Sequence, residues 1–143
     1  MGVAAGLRAS VSAVVAGEDT AIRAGSGDVP VLATPRLLAL AEAASVAAIA
    51  PNLAPGMTSV GTSVSLEHRR ASPVGAEVVV EAELTDVDGR RLVFSFIARE
   101  GGQWAGAPGD ESEEDRVVGA GTVERVVVDR EKFLARAEAT HRP

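Results

Sequence analysis

Two residues carry the chemistry most worth placing in this chain, Glu42 and His68. Glu42 is the sole acid between Val31 and Ala50, in a stretch dominated by Leu and Ala. A carboxylate on a buried helix must be paired, hydrogen-bonded or protonated, because desolvation otherwise costs several kcal/mol. The plainer reading sets Glu42 on a narrow solvent-facing stripe. His68 closes a segment in which Val60, Thr62, Val64 and Leu66 alternate with Gly61, Ser63, Ser65 and Glu67. On that parity its imidazole points to the face that covers the helix. Alone, a core-facing histidine is more often structural than catalytic. Beside a buried-helix glutamate it becomes half of a common acid–base pair.

Thr34 has two readings. It can cap the helix that Pro35 opens, or its hydroxyl can sit beside helix-terminal N–H groups where an anionic intermediate would be stabilised. Eight residues of helix rise about 12 Å. Thr34 and Glu42 of one helix therefore cannot easily touch the same atom, so either a ligand lies along the helix or a second subunit contributes. Gly61 reads as a bulge or a point where a ligand approaches the backbone, and Gly119 and Gly121 invite the same reading. Arg125 shares strand parity with Val123 and Val127; it is either an exposed cation or one that meets a carboxylate or a phosphate. His141, the second histidine, lies in the tail.

The elements that must hold these residues follow from periodicity. Leu7–Ala16 is β-branched and small, as a first strand is, and Asp19–Asp28 reads as a loop. Arg36–Ala50 forms a helix ended by Pro51, apolar nearly all round and so expected to be buried on most sides. Alternation then takes over in Thr58–Glu67. In Gly75–Val87 it sets Val78, Val80, Ala82 and Leu84 on one face, and in Arg91–Glu100 Leu92, Phe94, Phe96 and Ala98. Asp88-Gly89 signals a two-residue hairpin. Residues 101–115 are Gly-rich, then acidic, as a flexible insertion would be. Arg116–Val128 reads as the last strand and Asp129–Ala139 as a short polar helix. The expected class is α+β: an antiparallel sheet wrapped around one long central helix, the hotdog arrangement, in a single domain spanning residues 1–143. Polar-out alternation implies that only one sheet face is buried.

Composition excludes several classes of function. The net charge is −6 and Lys132 is the only lysine, so the basic stripe of a nucleic-acid binder is missing. Cysteine is absent, which removes disulfides, thiolate metal sites and a cysteine nucleophile, and fits a reducing cytoplasm. Two distant histidines make no metal cluster. The longest apolar run is broken by Arg36 and Glu42, so no membrane span is expected, and no apolar stretch behind a positive start suggests a secretory signal. There is no G-x-S-x-G, phosphate loop or G-x-G-x-x-G after a strand.

Order and spacing of several short motifs resemble one family. These are Ala33-Thr34-Pro35, Glu42 in the helix, Ala50-Pro51-Asn52-Leu53-Ala54-Pro55-Gly56, Val60-Gly61-Thr62, and His68 followed by Ala71-Ser72-Pro73 and Gly75. Val87-Asp88-Gly89-Arg90-Arg91-Leu92, Gly119-Ala120-Gly121-Thr122-Val123-Glu124-Arg125 and Glu131-Lys132-Phe133 extend the likeness. Together they resemble the fluoroacetyl-CoA thioesterase family from about Val31 to Phe133. The resemblance implies a hotdog homodimer with its active site at the dimer interface, pairing of dimers being left open. It implies a catalytic threonine, glutamate and histidine on Thr34, Glu42 and His68, with substrate contacts from Gly61 and Arg125. No metal or redox cofactor is implied, and CoA is part of the substrate.

The fluoroacetate-specific type carries phenylalanines in a lid before the threonine. This chain has Arg23-Ala24-Gly25-Ser26-Gly27-Asp28 and Val29-Pro30-Val31-Leu32 there, without an aromatic, which implies a broader or different acyl group. The expected reaction is hydrolysis of an acyl-CoA-type thioester, with Glu42 as general base or as nucleophile, His68 moving protons and the Gly61 N–H facing the oxyanion. A non-catalytic hotdog module binding acyl-CoA or an acyl carrier is the alternative from another class, and a hotdog dehydratase is the weaker third.

Overall fold

The computed structural model describes residues 2–101 and 113–141. Strand β1 spans Arg8–Val14, a short helix α1 Ala21–Ala24, the central helix α2 Thr34–Ile49, then β2 Met57–His68, β3 Glu77–Asp88, β4 Arg91–Glu100, β5 Val117–Asp129 and a terminal helix α3 Arg130–Ala139. The five strands form one antiparallel sheet in the order β1-β3-β4-β5-β2. The hotdog expectation holds: one long helix on one face of a curved antiparallel sheet. Asp19–Asp28, expected to be a loop, contains the α1 turn. Most of the 101–115 insertion lies outside the described residues.

Alternation along β3 and β4 produces the core as anticipated. Val78, Val80, Ala82, Leu84, Phe94 and Ala98 are completely buried, with Leu92 and Phe96 nearly so. From α2 they meet Leu37, Leu40, Ala41, Ala44, Ala48 and Ile49, spaced three and four apart on one helical stripe. Each large side chain buried this way contributes about 1.5–3 kcal/mol. The core, not the polar site, holds the fold.

Two local expectations are corrected. The β3–β4 loop is Gly89-Arg90 rather than Asp88-Gly89, since Asp88 pairs with Arg91 and Gly89 takes φ 60°. The helix is not buried on most sides. It packs mainly on β1 and β3, leaving Ala39, Ala43, Val46 and Ala47 exposed along its opposite face. The sheet is wider than one helix, so its β5–β2 side carries little cover within the chain.

Candidate functional site

Strand β2 carries the decisive local feature. Against β5, Gly61 pairs with Arg125 while Ser63 pairs with Glu124, so Thr62 is an extra residue and the strand bulges. A bulge reverses facing on its two sides. Beyond it Leu66 and His68 face the helix, as parity suggested. Before it Ser59 and Gly61 face the helix, not Val60 and Thr62. Strict alternation assigned that end of the strand to the wrong side because it allowed no inserted residue.

The first group gathers at Gly61. The Arg125 guanidinium is almost fully buried at 7% exposure; its Nη1 donates to Glu42 Oε2 at 3.2 Å, Nε to Ser59 Oγ at 2.8 Å and Nη2 to the Ser59 carbonyl at 2.9 Å. Glu42 is half-buried, with 37% of its side chain exposed, so it is neither sealed in the core nor a free surface carboxylate. A Cβ built on Gly61 would stand 2.6 Å from Glu42 Oε2. The carboxylate therefore lies against the bare backbone of Gly61, an approach only glycine permits. Burial pulls Arg125 below the ordinary arginine range and Glu42 opposes that; a guanidinium remains charged at neutral pH. Sequence reading missed Ser59. Its signal, a serine two residues before a glycine on the same strand face, becomes visible only when the bulge is known.

The second group lies at the helix start. Thr34 Oγ1 and His68 Nδ1 are 2.8 Å apart. Thr34 is not the cap: Ala33 takes that position without a side-chain bond, and Thr34 is the first helical residue. Its hydroxyl is thereby free for the imidazole. Two loops force the meeting. Leu32 N donates to the Ser72 carbonyl at 2.8 Å, tying the residues before the helix to those after β2, and Ala33 N donates to the Asp19 carbonyl at 2.8 Å. Asp19 also accepts from Ala16 N at 2.8 Å and Arg36 Nε at 2.9 Å; the Ala16 N–H, then Arg36, holds its carboxyl below the usual carboxylate range. The other ring nitrogen, His68 Nε2, is buried and makes no hydrogen bond among the described residues. Burial pushes the imidazole below its ordinary pKa, partly opposed by the Arg70 backbone. A cavity of about 320 Å³ opens over this pair, bordered by Gly27, Val29, Val31 and Leu32.

The chain thus brings Thr34 to His68, and Glu42 to Gly61 and Arg125, but holds the two groups apart. About 12 Å of helix rise separates Thr34 from Glu42, and about 23 Å of strand separates Gly61 from His68. Among the described residues no cluster of three His, Asp or Glu is placed to hold a metal, and no helix is long and apolar enough to cross a membrane.

The pattern of the fluoroacetyl-CoA-specific thioesterase family matches residues 15–107. The chain belongs to this family. A fluoroacetyl-CoA thioesterase of Streptantibioticus cattleyicolor is 42% identical over 106 residues, 74% of this chain and 67% of that protein. A solved structure of the fluoroacetyl-CoA thioesterase FlK superposes with a TM-score of 0.81 at 33% identity, covering 100% of both chains. A threonine-to-serine variant of FlK in complex with acetyl-CoA gives 0.82 at 32% identity, over 98% of this chain and 100% of that one. A thioesterase-superfamily protein of Thermus thermophilus shares the fold at 24% identity, with a TM-score of 0.80 over 96% and 92% of the two chains. As a member of the fluoroacetyl-CoA thioesterase family, the chain is a thioester hydrolase of the hotdog type.

Proposed function

We propose that this protein hydrolyses small acyl-CoA thioesters to the free acid and CoA, in a site completed by a second copy of the chain. One observation carries the reading. Two half-sites lie on the same face of an edge strand, at separations that antiparallel pairing of that strand with itself would close. Strand β2 is a sheet edge of 12 residues, with Ser63, Val64 and Ser65 exposed. An edge that long, without proline or lysine, is a template for pairing. Set a two-fold axis at Ser65: Val64 then opposes the partner's Leu66, and Ser63 opposes the partner's Glu67. With Thr62 bulged out, Gly61 opposes the partner's His68, about 5 Å away between Cα atoms. The bulge gives both residues the same facing, which cross-strand neighbours require. Glu42, lying against Gly61, then looks across at the other chain's Thr34–His68 pair. The exposed Ala39–Ala47 face of α2 and the thinly covered β5–β2 side of the sheet gain cover in the same step.

In this site Glu42 either activates water or attacks the thioester carbonyl itself, its carboxylate fixed by Arg125, which Ser59 in turn holds. The Gly61 N–H faces the oxyanion, and the Thr34-bound imidazole takes up the proton released by the water and passes it to the departing thiolate. The whole chain forms one hotdog domain, and its dimers are free to pair further. The cavity above Thr34 and His68 is bordered by Gly27, Val29 and Leu32 together with the polar Asp28 and Arg69, and by no aromatic among the described residues, which speaks against a fluorine-selective aromatic lid. The absence of cysteine and the CoA thioester substrates are in keeping with a cytoplasmic enzyme.

Release of free thiol from a panel of short acyl-CoAs tests the reading directly. Glu42→Gln and His68→Ala are each expected to slow turnover by about 10²–10⁴-fold. Wild-type rates in both variants, or tight acyl-CoA binding with no thiol released by the native protein, would sink it.

A further inference from the structure

Asp19 closes a short turn, Gly17–Asp19, ahead of the central helix, and only 14% of its side chain is exposed. Each of its oxygens accepts a bond. Oδ2 takes the Ala16 N–H at 2.8 Å, Oδ1 the Arg36 Nε–H at 2.9 Å, and the backbone carbonyl the Ala33 N–H at 2.8 Å. The first bond ties the carboxylate to its own turn; the other two reach the start of α2. Ala33 precedes Thr34 and Arg36 lies two residues after it. Asp19 thus grips the chain on both sides of the hydroxyl that stands 2.8 Å from His68 Nδ1. Asp19 itself does not border the cavity over that pair, so it has no direct contact with a ligand there.

That grip replaces what the helix lacks. α2 begins without a side-chain cap and carries no acid in its first turn, so its own sequence anchors its leading N–H groups to nothing. The turn that bears Asp19 is held in its place. Thr20, 4% exposed, donates from Oγ1 to the Gly17 carbonyl at 2.8 Å. Thr20 bridges Leu32, and the Ala21 N–H donates to the Val31 carbonyl at 2.9 Å. The Leu32 N–H in turn binds the Ser72 carbonyl, four residues past His68. Thr34 and His68 therefore hang from one frame, and Asp19 joins that frame to the helix. Energy alone does not explain the ion pair: the Arg36 side chain is 40% exposed, and pairs open to water contribute little to stability. What the contact does fix is position.

We propose that Asp19 is a positioning residue for the hydrolysis: through Ala33 and Arg36 it sets the Thr34 hydroxyl where it orients the His68 imidazole, and so governs kcat without touching substrate. The inference rests on the thioesterase reading above and adds to it a residue outside the threonine, glutamate and histidine set.

Asp19→Asn keeps an acceptor for the Ala16 N–H but gives up the charge that holds Arg36, and Arg36→Gln removes the other partner. Misplacing a reacting group by about 1 Å costs on the order of 10²-fold, so each variant is expected to lower kcat on acetyl-CoA by about tenfold to that limit, with KM nearly unmoved. The double variant should lose no more than the worse single one, because the two side chains make one contact. The deciding comparison is made in a Thr34→Ala background. With the hydroxyl gone, Asp19→Asn should cost about twofold further in kcat or less. An equal loss with and without the hydroxyl would show that Asp19 serves the fold alone and overturns the proposal, as would a raised KM at unchanged kcat. Should Asp19→Asn fail to fold, Arg36→Gln carries the same comparison, since it leaves the Ala16 bond intact. Nitrogen NMR of the imidazoles reads the same contact without turnover: Asp19→Asn should shift the His68 Nδ1 resonance and leave that of His141, exposed in the tail, where it was. An unmoved His68 resonance overturns the proposal. A shifted one in a protein that cleaves no thioester upholds the positioning and refutes the thioesterase reading instead.

Discussion

Gly61→Ala isolates the catalytic argument from the fold with a single methyl group. The added Cβ would stand 2.6 Å from Glu42 Oε2, where ordinary contact begins at 3.4 Å, so something moves by about 0.8 Å or more. What moves is the end of a flexible side chain, because the other close neighbour, Arg125 Nη1, stands 3.5 Å away at normal contact. Gly61 does not have a positive φ, so alanine fits the backbone, and replacing glycine in a strand stabilises by about 0.5–1 kcal/mol. The fold should survive with an unchanged or slightly raised melting temperature. The carboxylate, however, is driven from its seat between Gly61 and Arg125. Misplacing a reacting group by about 1 Å costs on the order of 10²-fold, and a loss of that size in kcat/KM is expected by thiol release from acetyl-CoA. Gly121→Ala is the counter-example: its Cβ would collide with the backbone oxygen of Ser65, which cannot yield, so that variant loses stability along with activity. Full activity in Gly61→Ala would show that the Glu42 carboxylate is not where the chemistry occurs. An unfolded Gly61→Ala would refute the claim that only the side chain gives way.

The remaining predictions concern the other half-site and the interface. Thr34→Ser should keep most of the activity and Thr34→Ala should lose about 10²-fold or more in kcat, since the hydroxyl within 2.8 Å of His68 Nδ1 is the feature in question; equal rates in the two variants would count against it. Burial lowers the His68 pKa below 6.5, so the unfolded chain binds that proton more readily and stability rises with pH. This contribution is fully present above about pH 6.5 and is lost as pH falls from there through the lowered folded value. His68→Gln should flatten that part of the profile, read as a difference in melting temperature so that the carboxylates cancel, Asp19 and also Glu124, which hydrogen bonds from Thr62 and Arg91 hold below the usual range. If the site is shared between two copies as proposed, Val64→Lys should give a monomer by light scattering and abolish turnover. A fully active monomer would overturn the shared site.

Much of this was legible in the residues. Alternation in β3 and β4 names the core facing because neither strand is interrupted over Val78–Leu84 or Leu92–Ala98, and Pro35 and Pro51 bracket the long helix. An acid alone in a Leu/Ala helix and a histidine at a strand end stand out as candidates, since side chains of that type in apolar surroundings need a reason. Spacing along the helix already set Thr34 and Glu42 about 12 Å apart.

Tertiary structure alone decided the rest. Which way Gly61 and Ser59 face depends on one inserted residue, Thr62, and a bulge has no composition of its own: it is chosen by how β2 registers against β5. Thr34 reads as a cap until the Leu32–Ser72 and Ala33–Asp19 bonds draw His68 to its hydroxyl. Arg125 reads either as an exposed cation or as a carboxylate's partner until pairing sets it across from Gly61 and beside Glu42. Local pattern fixes which face of an element is apolar. Only long-range pairing fixes which polar groups meet, because contacts between residues eighty positions apart leave no trace in the periodicity of either.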